Sequence, residues 1–167
     1  AIDYLRILSN KLVLEDLNAV YAQSQETSEQ LNALLHLKEL APVLDHFGSH
    51  VFIYTATTRA NTILLMYDSE TAETQIEGII RDLQRYDAVV SDIERKALAS
   101  CFVLFYFRKR NYKEVAKWAQ KIHEWEPEQR LELNLVAAII MILVAYEKED
   151  YDLMHYQWRH YQAQALR

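Results

Sequence analysis

Between residues 112 and 125 the apolar positions Val115, Trp118, Ala119, Ile122 and Trp125 fall at i, i+3, i+4, i+7 and i+10. That spacing lines one face of an α-helix. It recurs 39 residues earlier as Ile76, Ile79, Ile80, Leu83 and Tyr86, and 39 earlier again as Leu37, Leu40, Ala41, Leu44 and Phe47. Thirty-nine residues downstream Met154, Trp158 and Tyr161 keep three of the five positions, with Gln157 and Gln164 at the others. A stripe held at a constant interval predicts a series of equivalent helices. Each is preceded by a helix that is apolar nearly all round, over 51–67, 93–108 and 129–147, as expected of rods covered on several sides.

Polar clusters place the turns at DSETAE (68–73), RKRN (108–111) and EKED (147–150). Asn111 and Asp150 stand where a short side-chain oxygen caps the next helix. The N-terminal part is less regular. A helix over 3–23 shows Leu5, Leu8, Leu12, Leu17, Val20 and Tyr21 on its apolar side. Thr27 and Gln30 resemble a capping box opening a second helix. Pro42 is expected to kink or break that helix near Leu40–Ala41, and Gly48 to close it. The expected fold is all-α: about eight helices in four stacked antiparallel hairpins. A single domain would span 1–167, with an irregular capping pair over 1–48 and repeat hairpins over 49–88, 89–127 and 128–167.

Composition agrees. With 2 glycines and 2 prolines the chain lacks the turn residues of sheet proteins, and at 51% hydrophobic with 11 tyrosines it is not disordered. The longest apolar run, LVAAIIMILVAY (135–146), is shorter than the roughly 20 residues of a bilayer span and is expected to be a buried core helix. The start AIDYLRILSN lacks the basic head and clean apolar stretch of a signal peptide, and the initial Ala suggests a piece of a longer chain. The one cysteine, Cys101, permits no internal disulfide or zinc site, so a cytoplasmic setting is expected.

Residues 99–127 resemble a tetratricopeptide repeat. They hold an apolar first helix with Phe102 and Tyr106, a turn at Arg110-Asn111-Tyr112, the stripe described above, and Pro127 after the second helix. Residues 60–86 and 138–164 resemble it more weakly, so the likeness covers the last two-thirds of the chain. The period is 39 against about 34 in that family. Ala99 and Val103 stand where its tryptophan and glycine are usual, and Val115 where a small alanine is. The resemblance implies a curved, tetratricopeptide-like stack whose first helices line a concave surface that holds peptides or partner proteins. The inward positions would include Ser100 and Leu104, then Ile139 and Leu143. They are not basic, which argues against a clamp for a terminal carboxylate; Arg59 and Asn61 are the candidate donors to an anion.

Charge and chemistry narrow the function. The net charge of −6 disfavours general nucleic-acid binding. Its distribution is uneven: Arg108, Lys109, Arg110, Lys113, Lys117 and Lys121 face only Glu114 over 108–121, and an acidic stretch follows. This basic patch, with Tyr112 and Trp118 interleaved, is a candidate RNA or phosphate surface, weighed against Trp118 belonging to the buried stripe. In DHFGSH (45–50) His46 and His50 have ligand spacing, but a helix ending at Gly48 would spoil it. His155 and His160 are expected on different faces of the last helix, and His36 and His123 without a nearby partner. Cys101, among Leu98, Phe102 and Leu104, reads as core filling rather than a nucleophile. No phosphate loop, dinucleotide fingerprint or nucleophile elbow occurs. The expectation is therefore not an enzyme and without cofactor or metal. It is a helical-repeat interaction module for a protein or peptide. The alternative is the ligand- or peptide-sensing domain of a bacterial regulator whose DNA-binding part lies outside this chain. Tyr156, Trp158 and Arg159 on the last helix are candidate docking residues, through which the chain can also self-associate. Membrane binding is not expected.

Overall fold

A computed structural model describes residues 2–18, 21–37, 41–66, 69–86, 88–125 and 130–165. Among these the chain forms eight α-helices and no strand: α1 (Ile2–Leu17), α2 (Tyr21–Leu35), α3 (Ala41–Met66), α4 (Ser69–Arg85), α5 (Asp92–Arg108), α6 (Tyr112–Glu124), α7 (Leu131–Glu147) and α8 (Tyr151–Ala165). They fall into two compact units, Ala1–Ser91 and Asp92–Arg167.

In the C-terminal unit the interval of 39 is kept at both ends of the first helix, since α5 and α7 start and stop 39 residues apart. The turns between the paired helices repeat bond for bond. After α5 the backbone N–H of Asn111 donates to the carbonyl of Tyr106, and that of Arg110 to Phe107. After α7 the N–H of Asp150 donates to Ala145, and that of Glu149 to Tyr146. Each is a Schellman closure, which requires a left-handed residue after the helix. Arg110 (φ 55°) and Glu149 (φ 58°) fill that position where glycine is usual. The Oδ1 atoms of Asn111 and Asp150 then accept from the N–H groups of Glu114 and Leu153, starting α6 and α8 as expected. Because the left-handed conformation costs a side chain about 1–2 kcal/mol, Arg110→Gly and Glu149→Gly are each expected to raise stability by about 0.5–1 kcal/mol. The check is an upward shift of the urea midpoint with an unchanged slope.

Contacts inside this unit run antiparallel. Next to the turn Phe107 lies beside Tyr112, and farther from it the Phe102 ring meets Trp118 edge-on at 4.8 Å. α7 packs against α5, α6 and α8. The stripe of α6 is interior as its spacing demands: Val115, Trp118, Ala119 and Ile122 are buried, and Trp125 is half-buried. Pro127 lies outside the described residues. The stripe of α8 is not so covered. Met154, Gln157 and Tyr161 are half-buried, but Trp158 is 52% exposed. The run 135–146 also departs from expectation, being interior on one side only. Ala137, Ala138, Ile140, Val144 and Ala145 are buried, whereas Leu135, Ile139, Leu143 and Tyr146 are exposed.

In the N-terminal unit α1 packs on α2 and α3, α2 on α3, and α3 on α4. Leu5, Leu8 and Leu12 of α1, Leu31 of α2, Phe52, Ala56 and Ala60 of α3, and Ile76, Ile79 and Leu83 of α4 form its interior. Three expectations fail here. The helix expected over 3–23 ends at Leu17, where the Asn18 amide turns back to the Leu14 carbonyl at 2.7 Å. Thr27 does not cap a helix: it is buried in mid-α2 beside Ser24 and Ser28, and the Ser28 hydroxyl donates across to the Thr55 carbonyl of α3. Small polar residues there serve a close helix–helix approach, which a capping pattern in the sequence cannot be told from. Finally, α3 runs unbroken through Gly48, so the boundary drawn at 48/49 falls inside a helix. Pro42 sits in its first turn, where a missing N–H costs no helical bond. The expected break is therefore displaced to the segment between Leu35 and Ala41. As a consequence Leu37 lies beyond the end of α2 and is exposed rather than part of a stripe. The side chains of Ala41, Leu44 and Phe47, like residue Leu40, lie outside the described ones.

Candidate interaction surface

The basic turn is built by the Schellman closure of α5, which carries Lys109 and Arg110 out of the helix. Arg108, Arg110, Lys113 and Lys117 are exposed and Lys109 is half-buried. The cluster is partly neutralised within the fold. Lys117 pairs with Glu114 at 2.8 Å, and Arg110 approaches Glu147 of α7 at 3.9 Å. The Tyr112 hydroxyl also reaches Glu147, and Lys117 and Lys121 lie over the Trp118 ring. These exposed ion pairs contribute little stability. They do divide the positive field expected from the sequence.

Arg59 and Asn61 belong to the N-terminal unit. Asn61 is exposed, whereas Arg59 is half-buried. Burial pushes its guanidinium below the ordinary value, and the fields of Asp82 and Glu29 partly offset this. With two carboxylates already in its field, Arg59 is poorly disposed toward a further anion.

On α8 Tyr156 and Arg159 are exposed, with Asp152, His155 and His160 around one shallow depression. The Tyr156 and His160 rings lie nearly parallel, 6.3 Å apart. His155 and His160 both border this depression, one on each side of Tyr156 and Arg159 around the helix. Trp158 is not in that depression.

His123 has the partner that the sequence did not disclose: its Nε2 is 3.2 Å from the Tyr161 hydroxyl, α6 against α8. Burial raises the Tyr161 phenol. For His123, burial, then Lys96 and then His160, holds the imidazole below its ordinary value of 6.5. In the unfolded chain this histidine takes up a proton near 6.5; the folded one does so only at lower pH. The folded state is therefore favoured fully above pH 6.5 and loses that contribution as pH falls toward the folded value. A series of urea midpoints through this window is expected to decline for the native chain and to flatten for His123→Gln. The offset of 38 between the two residues nearly matches the repeat, the one sequence signal that would have suggested the pair.

Cys101 is buried, as its neighbours imply. The side chains of Asp45 and His46 lie outside the described residues, although the continuity of α3 removes the objection raised by Gly48. Among the described residues no three His, Cys, Asp or Glu gather as metal ligands, and no helix is long and apolar enough to cross a membrane.

A further surface, apolar in character, lies on α7. Leu131, Leu135, Ile139, Leu143 and Tyr146 are exposed along one side, and Tyr151 of α8 meets the Tyr146 ring at its end. Their steps of four, then three, keep them on one helical face. Glu132 is the charged residue within it, held low by its hydrogen bond from Arg130. Known protein families, curated proteins and solved structures offer no match to this chain.

Proposed function

We propose that this chain is a tetratricopeptide-like interaction module that binds a protein or peptide, and not an enzyme. The observation that carries the reading is the open apolar face of α7. Ile139 and Leu143, the positions that would line the concave surface of such an array, are solvent-exposed and apolar. Contiguous exposed apolar side chains on a folded domain mark surfaces that something else covers. Hairpins repeating at a fixed interval supply the frame for such a surface.

The test is selection of peptides displayed on phage against the whole chain, with Ile139→Asp/Leu143→Asp as counter-target. Enrichment of sequences with apolar anchors that the double variant fails to retain supports the module. Equal recovery on both proteins overturns it. The sensing domain of a bacterial regulator is the second reading, favoured by the depression around Tyr156 and His160 on α8. Saturable small-molecule binding lost in Tyr156→Ala would select it.

A further inference from the structure

The interval of 39 also sets the core of the second hairpin beside that of the first. Phe102 and Trp118, 0% and 3% exposed, correspond to Met141 and Gln157, both half-buried. Val115 and Ile122, fully enclosed, correspond to Met154 and Tyr161, again half-buried. Where an aromatic pair locks α6 onto α5, the second hairpin has a thioether and an amide. The Gln157 Oε1 atom is buried without a hydrogen bond, so docking withdraws an acceptor from water and leaves it unpaired. Among the described side chains of α8 only Met154, Gln157 and Tyr161 are not exposed. The helix is held along one narrow line. Its link to α6 is Tyr161, whose hydroxyl is 3.2 Å from His123 Nε2 and whose ring lies nearly parallel to the imidazole at 6.0 Å.

We propose that α8 is a releasable strap: it leaves the C-terminal unit when His123 takes up a proton, while α5, α6 and α7 stay folded. The bond itself is not the trigger, because the Tyr161 hydroxyl can donate to a neutral ring nitrogen and accept from a protonated one. What matters is where the charge falls. His123 is half-buried, with Lys96 of α5 and His160 and Tyr161 of α8 around it. Lys96 is 1% exposed, so water screens its charge little. Glu132 of α7 lies in the Lys96 field too, but it is exposed and hydrogen-bonded by Arg130. Glu124, next to His123 on α6, is exposed and held by Gln120 at 2.7 Å. A proton on His123 therefore adds a cation to a site already facing others, with these carboxylates out in water. Release carries His160 and the Tyr161 ring away and gives the imidazolium to solvent.

Burial first, then Lys96 and His160, keeps the docked imidazole below its ordinary 6.5. Once α8 leaves, the group returns toward that value. The released form binds the proton more tightly, so acid favours release. The effect begins below pH 6.5 and grows by at most about tenfold per pH unit for one proton. The decline of global stability described above unfolds the whole unit; here α8 alone detaches. The strap is independent of what the α7 face binds.

Hydrogen exchange of the whole chain, read by mass spectrometry at about pH 7.5 and about pH 5 and corrected for the intrinsic effect of pH, tests this. Peptides from α8 are expected to lose protection by about five- to thirtyfold, the span that one imidazole proton can drive over this range. Peptides from α5 and α6 are expected to change by less than about twofold. His123→Gln, or His123→Asn should the first fail to fold by circular dichroism, is expected to abolish the dependence on pH. Equal protection of α8 at both pH values overturns the strap, as does an α8 without protection at either. A loss shared alike by α5 and α6, or one that persists in the His123 variants, overturns it as well.

Discussion

Replacing Phe102 with alanine is expected to destabilise the C-terminal unit by about 3–5 kcal/mol, the usual cost of deleting a fully enclosed aromatic ring. Phe102 has no exposed surface, and it meets Trp118 edge-on, so the substitution removes both the transfer of the ring from water and a specific aromatic contact. Urea unfolding followed by far-ultraviolet circular dichroism measures the loss. Two companions decide whether burial is the cause. Trp118→Phe is expected to cost about 1 kcal/mol or less beyond its lost volume, since the indole N–H is buried without an acceptor and its removal strands nothing. Trp158→Ala is expected to shift stability by no more than about 0.5–1 kcal/mol, because that ring already faces water. A Trp158→Ala loss as large as that of Phe102→Ala would refute the interior described here.

Cys101 is expected to resist thiol reagents in the folded chain at pH 8. Burial pushes its thiol up to about 11 from 9.0, with the neighbouring Ser100 and the backbone pulling weakly the other way. Since the thiolate is the reactive form, that shift alone lowers its population about a hundredfold. A less acidic thiol is a somewhat better nucleophile, which returns a few-fold of this. Enclosure by the core removes more. Labelling with Ellman's reagent is therefore expected to be at least tenfold slower in buffer than in urea. The two predictions are linked, since a core loosened by Phe102→Ala opens more often. If labelling follows the open population, a loss of about 3 kcal/mol speeds it roughly a hundredfold. Rapid labelling of the native chain would show that Cys101 is not enclosed.

Much of the C-terminal unit was legible residue by residue. The interval of 39, the turns placed at 108–111 and 147–150, and the caps at Asn111 and Asp150 all rest on local bonds, and local bonds follow from neighbouring residues. The N-terminal unit was legible only as helical. Thr27-Ser-Glu-Gln30 has the letters of a capping box and sits in mid-helix, because the contact of Ser28 with Thr55 outweighs a local preference. Pro42 has the letter of a helix breaker and lies in a first turn, where proline is at home.

The candidate surface divides in the same way. Periodicity by itself determined that this chain is a set of helices, where the C-terminal hairpins turn, and that α6 has a face to bury. It did not determine what is available to cover a face, since apolar spacing looks the same on a rod that is enclosed and on one that ends a stack. Lys96 and Leu135 occupy equivalent positions of equivalent helices, yet the charged one is 1% exposed and the apolar one 52% exposed. Only the tertiary structure decided that, because exposure depends on which helices pack alongside. The same holds for Trp158, brought to the surface, and for His123, given Tyr161 as its partner by the packing of α8 on the helices before it.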